Sequence, residues 1–215
     1  IFNYLSILKL LLLFLLFLPI IYKVILKMVT IRKYEQKDAE NVKFACLNAE
    51  GYNSIPDEET AELVLHTFCE YYIEREPENC FVVDDDGRAV GFIISAESFE
   101  PYKKALHEEY CEMNKYLGEE RYNWSLKSTE IHEKFKDEYP AHFHINILPE
   151  YQRVGAGGKL INALFEHYRN KGIKGVMLCC NAENEVGINF YKKYGFTVLE
   201  ETKEDFDYLE SLPGR

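Results

Sequence analysis

The sequence predicts a mixed α/β domain carrying a helical insertion, and three observations predict it. Short apolar runs with strand alternation are interleaved with stretches of helical periodicity. A Gly-rich turn around residue 155 separates an apolar strand from a helix. A long polar segment, 99–139, interrupts the strand series, as an insertion between core strands does. With 215 residues, 47% of them hydrophobic, the chain can bury one sizeable core but is short for two, so residues 28–215 are read as one domain.

Residues 1–27 are unlike anything that follows. The apolar run Leu10 to Tyr22 falls short of the roughly 20 residues that span a bilayer, and extending it back to Tyr4 takes in Lys9. The chain begins with Ile, whereas Met28 opens a coherent strand, Val29 to Tyr34. Upstream translation ahead of a start at Met28 and a membrane anchor both fit. A signal peptide is opposed by the absence of a small-residue cleavage site and by Lys23 and Lys27 after the run. An anchor flanked by Lys23, Lys27, Arg32 and Lys33 keeps the domain cytoplasmic, so both fitting readings place it in the cytoplasm.

Asp38 can cap a helix running to about Tyr52, with Val42, Ala45, Cys46 and Ala49 at helical spacing. Pro56 and Asp57 open a second, striped by Ala61, Val64, Leu65, Phe68 and Tyr72. Cys80 to Val83 and Ala89 to Ser95 read as a hairpin joined by Asp84-Asp85-Asp86-Gly87, an acidic turn without a calcium-loop pattern after it. Within the insertion, helices are expected at about Lys103–Leu117 and Thr129–Glu138, either as a substrate wall or as a flap over the sheet. Phe143, Ile145 and Ile147 alternate on a strand, and Lys159–Asn170 is an amphipathic helix stopped by Gly172. Val176–Cys180 reads as a strand covered on both faces, Asn184–Lys193 as a helix stopped at Gly195, and Phe196–Glu200 as a last strand.

The net charge of -11 argues against nucleic acid as a partner. Cys46, Cys69, Cys80, Cys111, Cys179 and Cys180 have neither C-x-x-C nor metal-ligand spacing, so no metal is expected and buried thiols in a reducing compartment are. Cys179 is not expected to act as a nucleophile, because nothing near it in sequence lowers its pKa.

The chemistry concentrates in Gln152-Arg153-Val154-Gly155-Ala156-Gly157-Gly158. A glycine-rich turn entering a helix exposes backbone N–H groups and the positive end of the helix dipole, a cradle for phosphate. Three or four such amides, each contributing about 1.5–3 kcal/mol to a charged oxygen, could hold a pyrophosphate. A P-loop needs Gly at 153 and Ser or Thr at 160, where this chain has Arg153 and Leu160. A dinucleotide fingerprint starting at Gly155 fails at Leu160 as well.

Gln152-x-x-Gly155-x-Gly157, after an apolar strand and Pro149-Glu150-Tyr151, resembles the acetyl-CoA pyrophosphate loop of the GNAT superfamily of N-acetyltransferases. Asn184 followed by Phe190-Tyr191-Lys192-Lys193-Tyr194-Gly195-Phe196 is similar to that family's N…FYxKxGF helix. The likeness is strong over Ala141–Glu201 and compatible over Val29–Glu97, and it does not cover the insertion. Gly187, where the family usually has Ala, costs about 1 kcal/mol of helix propensity. Tyr139-Pro140-Ala141-His142-Phe143-His144-Ile145 is also similar to the acetyltransferase-like domains found with some O-GlcNAc hydrolases, some of them silent.

The resemblance implies a twisted, mostly antiparallel sheet with a splayed parallel strand pair, flanked by helices. It implies acetyl-CoA as cosubstrate and direct attack of a primary amine on the thioester in a ternary complex. Ile145 and Ile147 would offer backbone groups to the pantetheine, Gln152, Arg153, Val154, Gly155, Ala156, Gly157 and Gly158 would hold the pyrophosphate, and Asn184 would touch the cofactor arm. Tyr191 would line the cofactor and protonate the departing thiolate. An amine of pKa near 10.4 is only about one part in 2,500 neutral at pH 7, so a base is needed. His142 and His144, sharing a face with Asn146, are candidates, as are a carboxylate such as Glu97, a water chain, or no side chain at all. The alternatives to an enzyme are a silent acyl-CoA-binding module and a membrane-anchored interaction protein. A small-molecule or peptide amine is the expected acceptor, membrane contact depends on residues 1–27, and a homodimer is left open.

Overall fold

A computed structural model of the chain describes residues 29–49 and 57–201. The hydrophobic segment 1–27, the expected end of the first helix at Tyr52 and the opening Pro56 lie outside the described residues. Strand β1 (Thr30–Lys33) leads into helix α1 (Ala39–Asn48), and α2 (Glu58–Phe68) breaks at Cys69 before α3 (Glu70–Arg75). Strands β2 (Phe81–Asp85) and β3 (Arg88–Ala96) form the expected hairpin. Asp86 at φ 49° and Gly87 at φ 94° make its left-handed turn, and the register shifts at Val83/Asp84.

The caps show where local signals were read correctly and where a longer-range partner took over. Asp57 accepts from the Thr60 N–H at 2.7 Å and caps α2. Asp38 precedes α1, but its carboxylate accepts from Arg32 at 2.6 and 2.8 Å and from the Glu35 N–H at 3.0 Å. Burial raises the Asp38 pKa, and these bonds more than offset it, leaving the carboxyl below its usual range. The acidic hairpin is likewise committed to the fold: Asp84 accepts from Arg32 at 2.9 Å and Asp85 from the Tyr151 hydroxyl at 2.6 Å.

The insertion holds α4 (Phe99–Ala105), continued by a π-helical turn at Leu106–Cys111 and a 3-10 turn at Asn114–Leu117. It then adds α5 (Glu119–Lys127) and α6 (Glu130–Phe135), three helical stretches in place of the two expected. Strand β4 (Ala141–Ile147) leads through the turn to α7 (Ala156–Lys171), ended by Gly172 at φ 75°. Strand β5 (Val176–Met177) and α8 (Glu185–Lys193) follow.

The sheet order is β1-β2-β3-β4-β5, antiparallel except for the parallel β4–β5 pair. That pair consists only of Ala141↔Val176 and His142↔Met177, and beyond it the strands part. Two expectations fail there. Val176–Cys180 is a two-residue strand, not five, and Phe196–Glu200 carries no strand structure. Both have one physical cause: an apolar run becomes a strand only where a neighbour completes its ladder, and β4 has turned away. Cys179 and Cys180 are consequently exposed rather than buried, whereas Cys69, Cys80 and Cys111 are buried as expected. No described helix is long and apolar enough to cross a membrane.

Candidate active site

The parting of β4 from β5 creates the site. Register decides which β4 groups are available: Ile94↔His144 and Phe92↔Asn146 are partners across β3, and the Leu148 N–H donates to the Val90 carbonyl at 3.0 Å. Backbone groups alternate in direction along a strand, so those of Ile145 and Ile147 face away from β3, into the gap. The Ala141 N–H, of the same parity, points to the Gly175 carbonyl on that side at 3.4 Å.

The glycine-rich turn closes one end of the gap. Arg153 at φ 62° and Gly155 at φ 83° are both left-handed, and residues 152–155 are exposed ahead of α7. The Gln152 side-chain amide donates to the Ile147 carbonyl at 2.8 Å and to the Ala49 carbonyl at 2.9 Å, tying the turn to β4 and to the end of α1. Gly157 and Gly158 serve packing as well as ligand approach. A Cβ on Gly157 would lie 3.1 Å from the Phe190 ring, and one on Gly158 would collide with the Tyr194 hydroxyl. Only glycine lets the aromatic face of α8 seat on the first turn of α7.

Asn184 caps α8, its side-chain oxygen accepting from the Gly187 N–H at 2.8 Å. A Cβ at Gly187 would stand 2.7 Å from the Asn184 amide nitrogen, which gives a reason for glycine where the family prefers alanine. The Tyr191 ring packs on Phe143, Phe190 and Phe196. Burial first, then nearby Cys180, raises its hydroxyl pKa, so it carries its proton at physiological pH.

The opposite face of β4 carries His142, His144 and Asn146. The Asn146 amide donates to the Cys46 carbonyl at 3.3 Å. Buried Tyr72 lies between the two histidines, its hydroxyl 2.9 Å from His142 Nε2 and 3.1 Å from His144 Nε2. His142 is 1% exposed, enclosed by Tyr72, Tyr102 and His132, whose ring centre is 4.6 Å away. His144 is half-buried against Phe68, which meets Trp124 edge to face at 5.5 Å. Burial, then the charge of His132, lowers His144 to about 3. Burial, His132 and His144 together hold His142 far below its ordinary value. Both imidazoles are neutral at pH 7. Glu97 is committed elsewhere, paired with Lys171 and 3.3 Å from the Asn79 amide.

The insertion forms the outer wall of this histidine face. Trp124 reaches Phe68, Arg121 pairs with Glu59 at 2.7 Å, and the Tyr110 hydroxyl donates to Glu74 at 2.9 Å. Tyr102 and His132 also come from the insertion, and no sequence spacing pointed to either. Their roles depend on contacts that only the folded chain makes.

A split parallel strand pair, a left-handed glycine turn at a helix start and a tyrosine-bearing helix beside the split define an acyl-CoA-type transferase scaffold. Residues 44–196 match the acetyltransferase (GNAT) family, and the chain belongs to it. It is 26% identical over 136 residues to an uncharacterized N-acetyltransferase of Methanocaldococcus jannaschii, a match covering 63% of this chain and 46% of that protein. The chain thus spans about half the length of that curated relative. The fold matches the crystal structure of SsHAT with a TM-score of 0.74 and 23% identity, covering 81% of this chain and 94% of the other. It also matches the PaiA N-acetyltransferase of Thermoplasma acidophilum in complex with coenzyme A, with a TM-score of 0.51 and 18% identity, covering 82% and 94%.

Proposed function

We propose that the protein transfers an acetyl group from acetyl-CoA to a primary amine by direct attack in a ternary complex. The observation that carries this reading is the gap beside β4, with the backbone of Ile145 and Ile147 facing it and the glycine turn and Tyr191 helix bordering it. Ile145 and Ile147 would pair with the pantetheine, and the turn from Gln152 to Gly158, exposed over its first four residues, would hold the pyrophosphate through N–H groups and the α7 dipole. Asn184, used as a helix cap, would fix α8 against the cofactor arm.

The amine nitrogen attacks the thioester carbon, the tetrahedral adduct collapses, the C–S bond breaks, and the departing thiolate takes the Tyr191 proton. His144, neutral and half-buried, would receive the amine proton. Tyr72 orients it, its hydroxyl standing 3.1 Å from His144 Nε2 and 2.9 Å from His142 Nε2. The aromatic wall of Phe68 and Trp124 and the charge of -11 favour a cationic amine, small molecule or peptide. The depressed His144 also gives weight to a silent acyl-CoA-binding module, and turnover separates the two.

Calorimetric titration with acetyl-CoA, followed by CoA release against an amine panel, tests the reading. Tyr191→Phe should slow transfer about 100-fold with acetyl-CoA affinity nearly unchanged. An unaltered rate removes Tyr191 from the acid role, and absence of acetyl-CoA binding rejects the proposal.

A further inference from the structure

An ammonium ion has no lone pair with which to attack a thioester, so its first proton must go somewhere before the chemistry begins. On the histidine face of β4, Nε2 of His142 and Nε2 of His144 are both engaged by the Tyr72 hydroxyl, at 2.9 and 3.1 Å. The His142 ring lies 4.2 Å from the Tyr102 ring and 4.6 Å from the His132 ring, centre to centre, and the His144 ring lies 5.5 Å from Phe68. Among the described residues no carboxylate bonds to either imidazole. A cation formed there would be enclosed by rings and a phenol with no anion beside it, which is costly.

The carboxylates nearest to Tyr72 in the chain are bonded elsewhere. Glu70 holds Lys43 at 2.6 Å, and Glu74 accepts from the Tyr110 hydroxyl at 2.9 Å. Glu76 accepts from the Tyr71 hydroxyl at 2.7 Å and from the Glu97 N–H at 2.9 Å, while Glu97 itself pairs with Lys171. Burial first, then the charge of His132, agrees with this picture in lowering His144 to about 3. Such an imidazole receives a proton only after C–N bond formation has made the nitrogen strongly acidic. It does not strip one from a free ammonium ion of pKa near 10.4.

We propose that the acceptor is a weakly basic primary amine, an α-amine such as a peptide N-terminus, which gives its first proton to water before it enters the cleft. This inference rests on the acetyl-transfer reading above and narrows its substrate. At pH 7 an α-amine of pKa about 7.7–8.0 is neutral in roughly one molecule in eight, against about one in 2,500 for a lysine-type amine. The lower nucleophilicity of the weaker base takes back only part of that advantage. Protons balance along this route. Water takes the first, and the neutral nitrogen attacks the thioester carbon. The second passes from the adduct to His144 as the C–S bond breaks, and the thiolate takes the Tyr191 proton. The proton on His144 then makes good the one that Tyr191 has lost.

The test measures kcat/KM of the full chain at pH 7 with phenethylamine, its β-fluoro and β,β-difluoro derivatives, and phenylalaninamide. The first three fall in basicity while size hardly changes, and all four carry a ring for the Phe68–Trp124 wall. From phenethylamine to the difluoro derivative kcat/KM should rise about 10-fold or more, and phenylalaninamide should outrun phenethylamine. The inflection of each pH profile should move with the pKa of the amine used. A kcat/KM that is flat or rises with basicity, one inflection common to all four amines, or turnover confined to strongly basic amines of the wider panel would overturn the proposal and leave acetyl transfer standing. Acetyl-CoA binding without CoA release from any amine of that panel would reject the transfer reading, and the proposal with it.

Discussion

At the scale of residues, the proton inventory around β4 leads to a specific kinetic expectation. His144 is lowered to about 3 and His142 is held well below its ordinary value, so neither changes charge between pH 5 and 8. Tyr191 is raised and stays protonated over the same range. The pH dependence of kcat/KM should therefore rise with deprotonation of the amine and show no inflection near 6.5. An inflection there that His144→Gln removes would mean that His144 titrates near neutrality, against this account. Sequence reading could bring His142 and His144 forward as candidates because their alternation with Phe143 put them on one face. It could not anticipate their depressed proton affinity, which comes first from burial, to which Tyr72 and Tyr102 contribute by packing on His142, and then from His132, residues that share no spacing with the two histidines.

At the scale of elements, the contact between α7 and α8 does more than pack a core. Phe190 and Tyr194 rest on Gly157 and Gly158, so the amides proposed to hold the pyrophosphate are positioned by the helix that carries Tyr191. Gly158→Ala should displace Tyr194, destabilise the fold by about 1–3 kcal/mol and weaken acetyl-CoA binding. Thermal melts and calorimetry would measure both effects, and adding Tyr194→Ala should restore much of the affinity. Affinity unchanged in the single variant would show the two helices to be independent. Elements with strong local signals were legible in the sequence: the hairpin with its Asp86-Gly87 turn, β4 by alternation, and α7 by its stripe and Gly172. Val176–Cys180 and Phe196–Glu200 were not, since strand identity depends on a neighbour that a linear pattern does not specify. The additional helix of the insertion, α5, was not legible because it buries only Trp124 and Ser125 and so carries almost no apolar stripe.

At the scale of the whole molecule, the buried histidines couple stability to pH. Their folded pKa values lie below the unfolded value of about 6.5, so below that pH the unfolded chain binds more protons. Their stabilising contribution is complete above about 6.5 and is lost as pH falls toward the folded values. The melting temperature should begin to drop near pH 6.5, before carboxylates such as Asp38 protonate, and His142→Asn combined with His144→Gln should flatten this early limb. A melting temperature constant from pH 7 to 5 would contradict the assignment. The mixed sheet, the flanking helices and the single core were readable from composition and order. Its rift was expected only through family likeness, since no local propensity encodes where two strands part. That rift leaves the tail, Gly172 to Glu201, joined to the sheet by the two β4–β5 pairs and to α7 through Phe190 and Tyr194. A ligand lying in the rift would act as a seam, and the tail would gain rigidity in proportion to how long that seam is occupied.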